Sequence, residues 1–136
     1  SEYKWRNAID HSLAVSLIHA FFLKHQDGCL VGHNVQFDIG FIESFCSEFQ
    51  HSIIFPTPYI DTRDICRAIL APFGLSSMSL DNICLFLGWE RRNAHTALSD
   101  CEDCIKIVRN LCPPSPRFIL RLHTMRLIRE IKGIVL

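Results

Sequence analysis

Along residues 30–41 an apolar run breaks at the polar pair His33-Asn34 and resumes as an amphipathic segment with Asp38 among large hydrophobes. Residues 29–32 are short and apolar, which suits a buried strand. His33-Asn34 reads as a turn, with Asn34 as a helix N-cap. Residues 37–49 follow with helical spacing and are expected to bury Phe41, Ile42 and Phe45. Asp38, between Phe37 and Ile39, is therefore expected at the edge of a core. A charge there is costly unless it is paired or holds a metal. A second polar cluster, His95-Thr96-Ala97-Leu98-Ser99-Asp100, lies far downstream, and the two clusters are the chemical content of the chain.

Around them strands and helices alternate, which is the pattern of an α/β fold. Ile9, Leu13, Leu17, Ala20 and Phe21 predict a helix over 9–26, stopped by Asp27-Gly28. Residues 52–55 and 59–60 are β-prone on either side of Pro56-Thr57-Pro58, so a strand is expected to enter Asp61-Thr62. Thr62 is placed to cap a helix through Leu70, and Ser79 another over 80–87 that Gly88 stops. A further helix is expected over 96–111. Pro113, Pro114 and Pro116 then break the chain before a last amphipathic helix with Phe118, Leu122, Met125 and Ile128 on one face.

A length of 136 residues bounds the chain to one domain, and a hydrophobic fraction of 49% excludes disorder. The formal net charge is zero, so a polyanionic partner must be held by local features and not by a global basic field. Charge is nonetheless uneven: residues 1–114 carry nine Lys/Arg against thirteen Asp/Glu, whereas 115–136 carry five against one. The expected division is a domain over 1–112 and a Pro break with a basic helix over 113–136. That helix is expected to dock on its own domain, with a partner or nucleic acid as the alternatives.

Seven cysteines at irregular spacing predict free thiols in a reducing compartment. Cys101-x-x-Cys104 has no second pair at zinc-site spacing and reads as buried helical thiols. The apolar run 13–23 is interrupted by Ser16 and His19 and is short of the ~20 residues a bilayer span needs, so a soluble, cytoplasmic protein is expected.

Taken singly, Asp38 and Asp100 are acids near helix starts, where the helix dipole favours them. His95 alone is a loop residue. Together they suit metal-assisted hydrolysis. Mg²⁺ or Mn²⁺ takes oxygen ligands, two such ions ~4 Å apart can act on a phosphodiester, and a neutral His can take a proton from water.

His33-Asn34-x-x-Phe37-Asp38 and His95-x-Ala97-x-x-Asp100 resemble the second and third motifs of the DEDDh 3′–5′ exonuclease superfamily. That superfamily includes the proofreading epsilon subunit of bacterial DNA polymerase III. Tyr59-Ile60-Asp61-Thr62 and Ser79-Leu80-Asp81-Asn82-Ile83 resemble its intervening segments, and the likeness covers about residues 9–112. The resemblance implies a ribonuclease-H-like exonuclease fold with Asp38 and Asp100 as metal carboxylates and His95 as general base. It implies that His33 and Asn34 lie near the substrate strand, that Phe37 packs, and that Asp61 holds the turn. Arg91 and Arg92 are read as phosphate contacts or as a solvated loop pair. The implied partners are a single-stranded 3′ end of DNA and DNA polymerase III subunits. Alternatives are an RNA 3′ exonuclease of the ribonuclease T or oligoribonuclease type, and a non-catalytic module that binds a polymerase or nucleic acid.

One departure qualifies this. The superfamily's first motif, Asp-x-Glu, does not occur before His33: Asp10 is followed by His11-Ser12, and Glu2 by Tyr3-Lys4. The chain, which begins Ser1-Glu2, is expected to be a truncation lacking its N-terminal strands, inactive or nearly so by itself. Only two short strands among five or six helices are then expected, with an open strand edge.

Overall fold

The computed structural model describes residues 9–91 and 96–132. Among these the elements run α1 (His11–Lys24), β1 (Val31–Gly32), α2 (Val35–Glu48), β2 (Ile60–Asp61), α3 (Thr62–Leu70), a 3-10 turn (Ala71–Phe73), α4 (Leu80–Leu87), α5 (Ala97–Leu111) and α6 (Pro116–Lys132). The two strands pair in a small parallel sheet, so the class is α/β with helix dominant. Residues 52–55, expected to be β-prone, form no strand; they run straight into Pro56 and Pro58, which have no N–H to give a ladder.

Side-chain caps set most helix starts. Asp10 accepts from Ser12 N at 2.8 Å, Ser79 from Asn82 N at 3.3 Å and Thr96 from Ser99 N at 3.3 Å. Gly88 ends α4 in the left-handed conformation that spares a Cβ clash. Asp61, not Thr62, caps α3, accepting from Arg63 N at 2.9 Å. Thr62 becomes the first helical residue, fully buried, with its hydroxyl 3.0 Å from the Gly32 carbonyl.

The chain forms two units. One comprises the segment up to Leu30 together with Val35–Ile60, and it holds α1 and α2. Among the described residues Val15, Phe22, Val35, Cys46 and Pro56 are buried in it, and the Phe22 ring meets Phe55 with centroids 4.7 Å apart. Gln26 Nε2 ties the end of α1 to the Ile54 carbonyl at 2.6 Å. Ile9, Leu13, Leu17 and Phe21, the stripe that marks α1 as a helix, are exposed, as are Phe37 and Phe41 on α2. Phe41 is thus not a core residue, and Ile42 and Phe45 are only half-buried. Helix α1 carries apolar side chains all round, and its buried Val15 and Phe22 lie on the face opposite Leu13, Leu17 and Phe21; on α2 the buried Val35 and Cys46 lie opposite the exposed Phe37 and Phe41.

The other unit comprises Val31–Asn34 and the chain from Asp61 onward. Its core is Cys66, Leu70, Leu75, Ile83, Phe86, Leu87, Ile107, Leu111 and Leu122. Helix α5 packs on α3 and on β1. Helix α6 enters this core through Leu122, with Phe118 and Ile119 packed beside it, while Ile128 stays exposed. Its arginines reach main-chain carbonyls: Arg121 Nη2 donates to Leu87 O at 3.2 Å, Arg126 Nη1 to Pro72 O at 3.3 Å and Arg129 Nη2 to Phe86 O at 2.9 Å. Two of these carbonyls belong to the last turn of α4, where a cation meets the negative end of the helix. Arg129 also stacks 3.9 Å above the Phe86 ring.

All seven cysteines are free. Burial pushes the Cys66 thiol up to about 12 and the Cys84 thiol up to about 11, which makes both poor nucleophiles. Cys104 is buried on α5, but Cys101 is exposed, so the Cys-x-x-Cys pair is not a pair of buried thiols.

Candidate active site

The turn after β1 is held by Asp61. One carboxylate oxygen of Asp61 accepts from the Asn34 main-chain N–H at 3.0 Å as well as from Arg63 N. Asn34 sits at φ 68°, in the left-handed region that Asn tolerates better than most residues, and is itself exposed. Arg63 Nη1 donates to the Asn34 side-chain oxygen at 3.4 Å. Asp61 thus holds the main chain at Asn34.

His33 is half-buried, and its two ring nitrogens both meet this unit's own groups. Nε2 lies 2.6 Å from the Met78 carbonyl, which only accepts, so Nε2 carries a proton. Nδ1 lies 3.0 Å from the Thr62 hydroxyl, which can turn to it or to Gly32 O. Burial lowers the His33 pKa below its ordinary 6.5; Arg63 and Arg91 add to this, while the Met78 carbonyl and Asp61 oppose it. A base depressed in the folded state binds fewer protons there than in the unfolded chain. Stability from this source is complete above pH ~6.5 and is lost as pH falls through the folded value. Urea midpoints measured from pH 7.5 down to pH 5 are expected to fall less in His33→Gln than in the parent chain. Parallel lines for the two proteins would refute this.

Thr62 Oγ1 also lies 3.8 Å from Cys104 Sγ, one turn along α5 from Asp100. On that face Arg91 gathers three acids. Its Nε donates to Asp103 at 2.7 Å, its Nη1 to Asp81 and its Nη2 to Asp100. The Arg91 side chain is 8% exposed and that of Asp103 is 11%, whereas Asp100 is 39% and Asp81 55% exposed. Burial pulls against the guanidinium charge, but the bonds from Asp103 and Asp81 outweigh it and hold the Arg91 pKa above its ordinary value. Arg91 is therefore neither a solvated loop residue nor a free phosphate contact. The sequence signals only part of this cluster, the pair Asp100 and Asp103 three apart on one helix face; nothing in the Arg91-Arg92 pair marks which arginine joins them.

Asp38 belongs to the other unit. It lies exposed in the first turn of α2, between the exposed Phe37 and a half-buried Ile39, and not at a core edge. Solvent and the positive end of the helix dipole account for its charge. His95 and Arg92 lie outside the described residues.

A divalent ion asks for several convergent oxygen ligands. Among the described residues no group of three or more His, Cys, Asp or Glu side chains forms such a cage. Asp100, the expected ligand of the second unit, is engaged by a guanidinium. In this arrangement the residues do not fit a divalent ion at Asp100, because a cation on that carboxylate would stand against the positive charge of Arg91.

A family model described as Exonuclease matches residues 14–108, a span that includes the His33–Asp38 and His95–Asp100 segments. The chain belongs to this exonuclease family, a nuclease class of hydrolase whose substrate is nucleic acid. No curated protein and no solved structure matches the chain. Among the described residues no helix is long and apolar enough to cross a membrane.

Proposed function

We propose that this domain is a 3′–5′ exonuclease of the DEDDh type, with a ribonuclease-H-like fold, acting on the single-stranded 3′ end of DNA in the manner of a proofreading subunit. The observation that carries this reading is the family match across residues 14–108, which contains both polar motifs in order. The working setting is cytoplasmic, beside subunits of a replicative polymerase of the DNA polymerase III kind. In this reading Asp38 and Asp100 are the carboxylates of the reaction centre, with Mg²⁺ or Mn²⁺ as the cation class. His95 takes the proton from the water that attacks the terminal phosphorus. The bond from phosphorus to the 3′ oxygen of the preceding nucleotide breaks, and a 5′-nucleotide leaves. His33 and Asn34 shape the corner beside the strand.

The two-ion form of this chemistry asks for more carboxylates than Asp38 and Asp100, and no Asp-x-Glu stands before His33. The 136-residue chain alone is therefore expected to be inactive or nearly so. The test is a 5′-labelled single-stranded oligonucleotide, DNA or RNA, incubated with Mg²⁺ or Mn²⁺. The chain alone should give no ladder. Joined to a strand carrying Asp-x-Glu-x-Thr, it should shorten DNA from the 3′ end, and His95→Ala should slow that by about a hundredfold or more. Vigorous degradation by the chain alone would refute the carboxylate argument. Failure of the joined protein on both substrates would remove the exonuclease reading, and preference for RNA would move it to the ribonuclease branch.

A further inference from the structure

We propose that the outward face of α6 is a docking site for an acidic amphipathic helix of another protein. The inward face is occupied by the domain itself: Leu122 is buried, Phe118 and Ile119 pack beside it, and Arg121, Arg126 and Arg129 reach main-chain carbonyls. On the opposite side Leu120, Leu127 and Ile131 are 67, 58 and 76% exposed, with Thr124 exposed among them. The steps along these four positions are four, three and four residues. Leu120 and Leu127 alternate with the β-branched Thr124 and Ile131, which is the order of a two-stranded coiled-coil seam. At roughly 1.5 Å per residue the stripe runs about 16 Å, which a single partner helix can cover.

Charge decides which helix fits. Arg117 stands three residues before Leu120, on the same seam and exposed, in a first turn that holds no acid and whose dipole end is positive. Lys132 stands exposed just past Ile131 at the other end. Glu130, the one acid of α6, is bound to Arg126 at 2.8 Å, and among the described residues no ion pair reaches Arg117 or Lys132. A second copy of this chain would meet the seam with like charge. A parallel pair sets Arg117 on Arg117, and an antiparallel pair sets Arg117 beside Lys132. A partner helix with Leu or Ile on its seam and Asp or Glu beside it supplies what both cations lack. Thr124 and Arg117 within the stripe make it narrower and more polar than the apolar face that a lipid surface takes. The inference is independent of the nuclease chemistry, whose candidate residues lie on other elements.

The probe is a fluorescein-labelled synthetic helix of about three heptads, with Leu and Ile on the seam and Glu on the flanks. Its anisotropy is followed as the full chain is added. The unaltered chain is expected to bind it at least about tenfold more tightly than the same peptide with Lys in place of Glu. Leu120→Ala combined with Leu127→Ala should weaken the acidic peptide by about tenfold or more, with the far-ultraviolet circular dichroism spectrum unchanged. Arg117→Glu should narrow the preference for Glu over Lys. Equal binding of the two peptides by the unaltered chain overturns the proposal, and this comparison needs no variant to fold. An acidic peptide indifferent to Leu120 and Leu127 overturns it too. A dimer in sedimentation that the double alanine variant disperses would give the face to a second copy. Tighter binding of phosphatidylserine vesicles or of single-stranded DNA than of the acidic peptide, lost in that variant, would give it to a membrane or to nucleic acid. Each of these also overturns the proposal, while the nuclease assay stands or falls separately.

Discussion

Arg91→Met is expected to lower the unfolding free energy by about 3–5 kcal/mol, the cost of leaving a buried acid without its cation. Asp103 is the reason. Its side chain is 11% exposed, it and Thr62 are the buried polar residues among those described, and Arg91 Nε is its charged partner at 2.7 Å. Asp81 and Asp100 are exposed enough that water replaces much of what Arg91 gives them, so their share is small. The loss should therefore depend on Asp103. Asp103→Asn in the Arg91→Met background is expected to recover more than half of it, a coupling that independent sites would not show. Urea unfolding followed by far-ultraviolet circular dichroism measures all three proteins. A single variant within about 0.5 kcal/mol of the parent, as for an ordinary surface substitution, would mean that Arg91 is not the counter-ion of Asp103.

The parts of the fold that were legible in the sequence are those decided locally. Ser79 and Gly88 frame α4 at the expected residues, and Thr96 starts α5, because a cap is a bond between neighbours in the chain. Asp61 does hold the turn at Asn34. What could not be read is the choice among faces. Leu13, Leu17 and Phe21 carry the helical period of α1, yet Val15 and Phe22 on the opposite side are the buried residues, since an all-round apolar helix has no periodicity that names its inner face. On α2 the apolar arc is wide, and its exposed end at Phe37 and Phe41 cannot be told in sequence from its buried end at Val35 and Cys46, which is why Asp38 is expected at a core edge. The Arg91 cluster joins residues from α4, a loop and α5, and no spacing rule connects positions 81, 91 and 103. His33 shows the remaining limit: its motif was legible, but the Met78 carbonyl that occupies Nε2 lies outside any motif.

The second large effect concerns the basic helix α6. Leu122→Ala is expected to cost about 2–5 kcal/mol, the range for truncating a fully buried leucine in a packed core. Leu122 is 1% exposed and shares its cluster with Leu70, Phe86, Ile107 and Leu111, so the lost methyl groups leave a cavity among residues from α3, α4 and α5. Leu127, on the same helix, is 58% exposed, and Leu127→Ala should change stability by no more than about 0.5 kcal/mol. The contrast between the two is the informative quantity. A helix that served only as a free arm for a polymerase or nucleic acid would give two small and equal effects. A helix that is part of the domain gives one large effect and one small. Its arginines point the same way: Arg121, Arg126 and Arg129 are engaged on the domain's own carbonyls, which leaves fewer charges for an outside partner than the sequence count implies. Matching urea midpoints for Leu122→Ala and Leu127→Ala would return α6 to the status of an appendage.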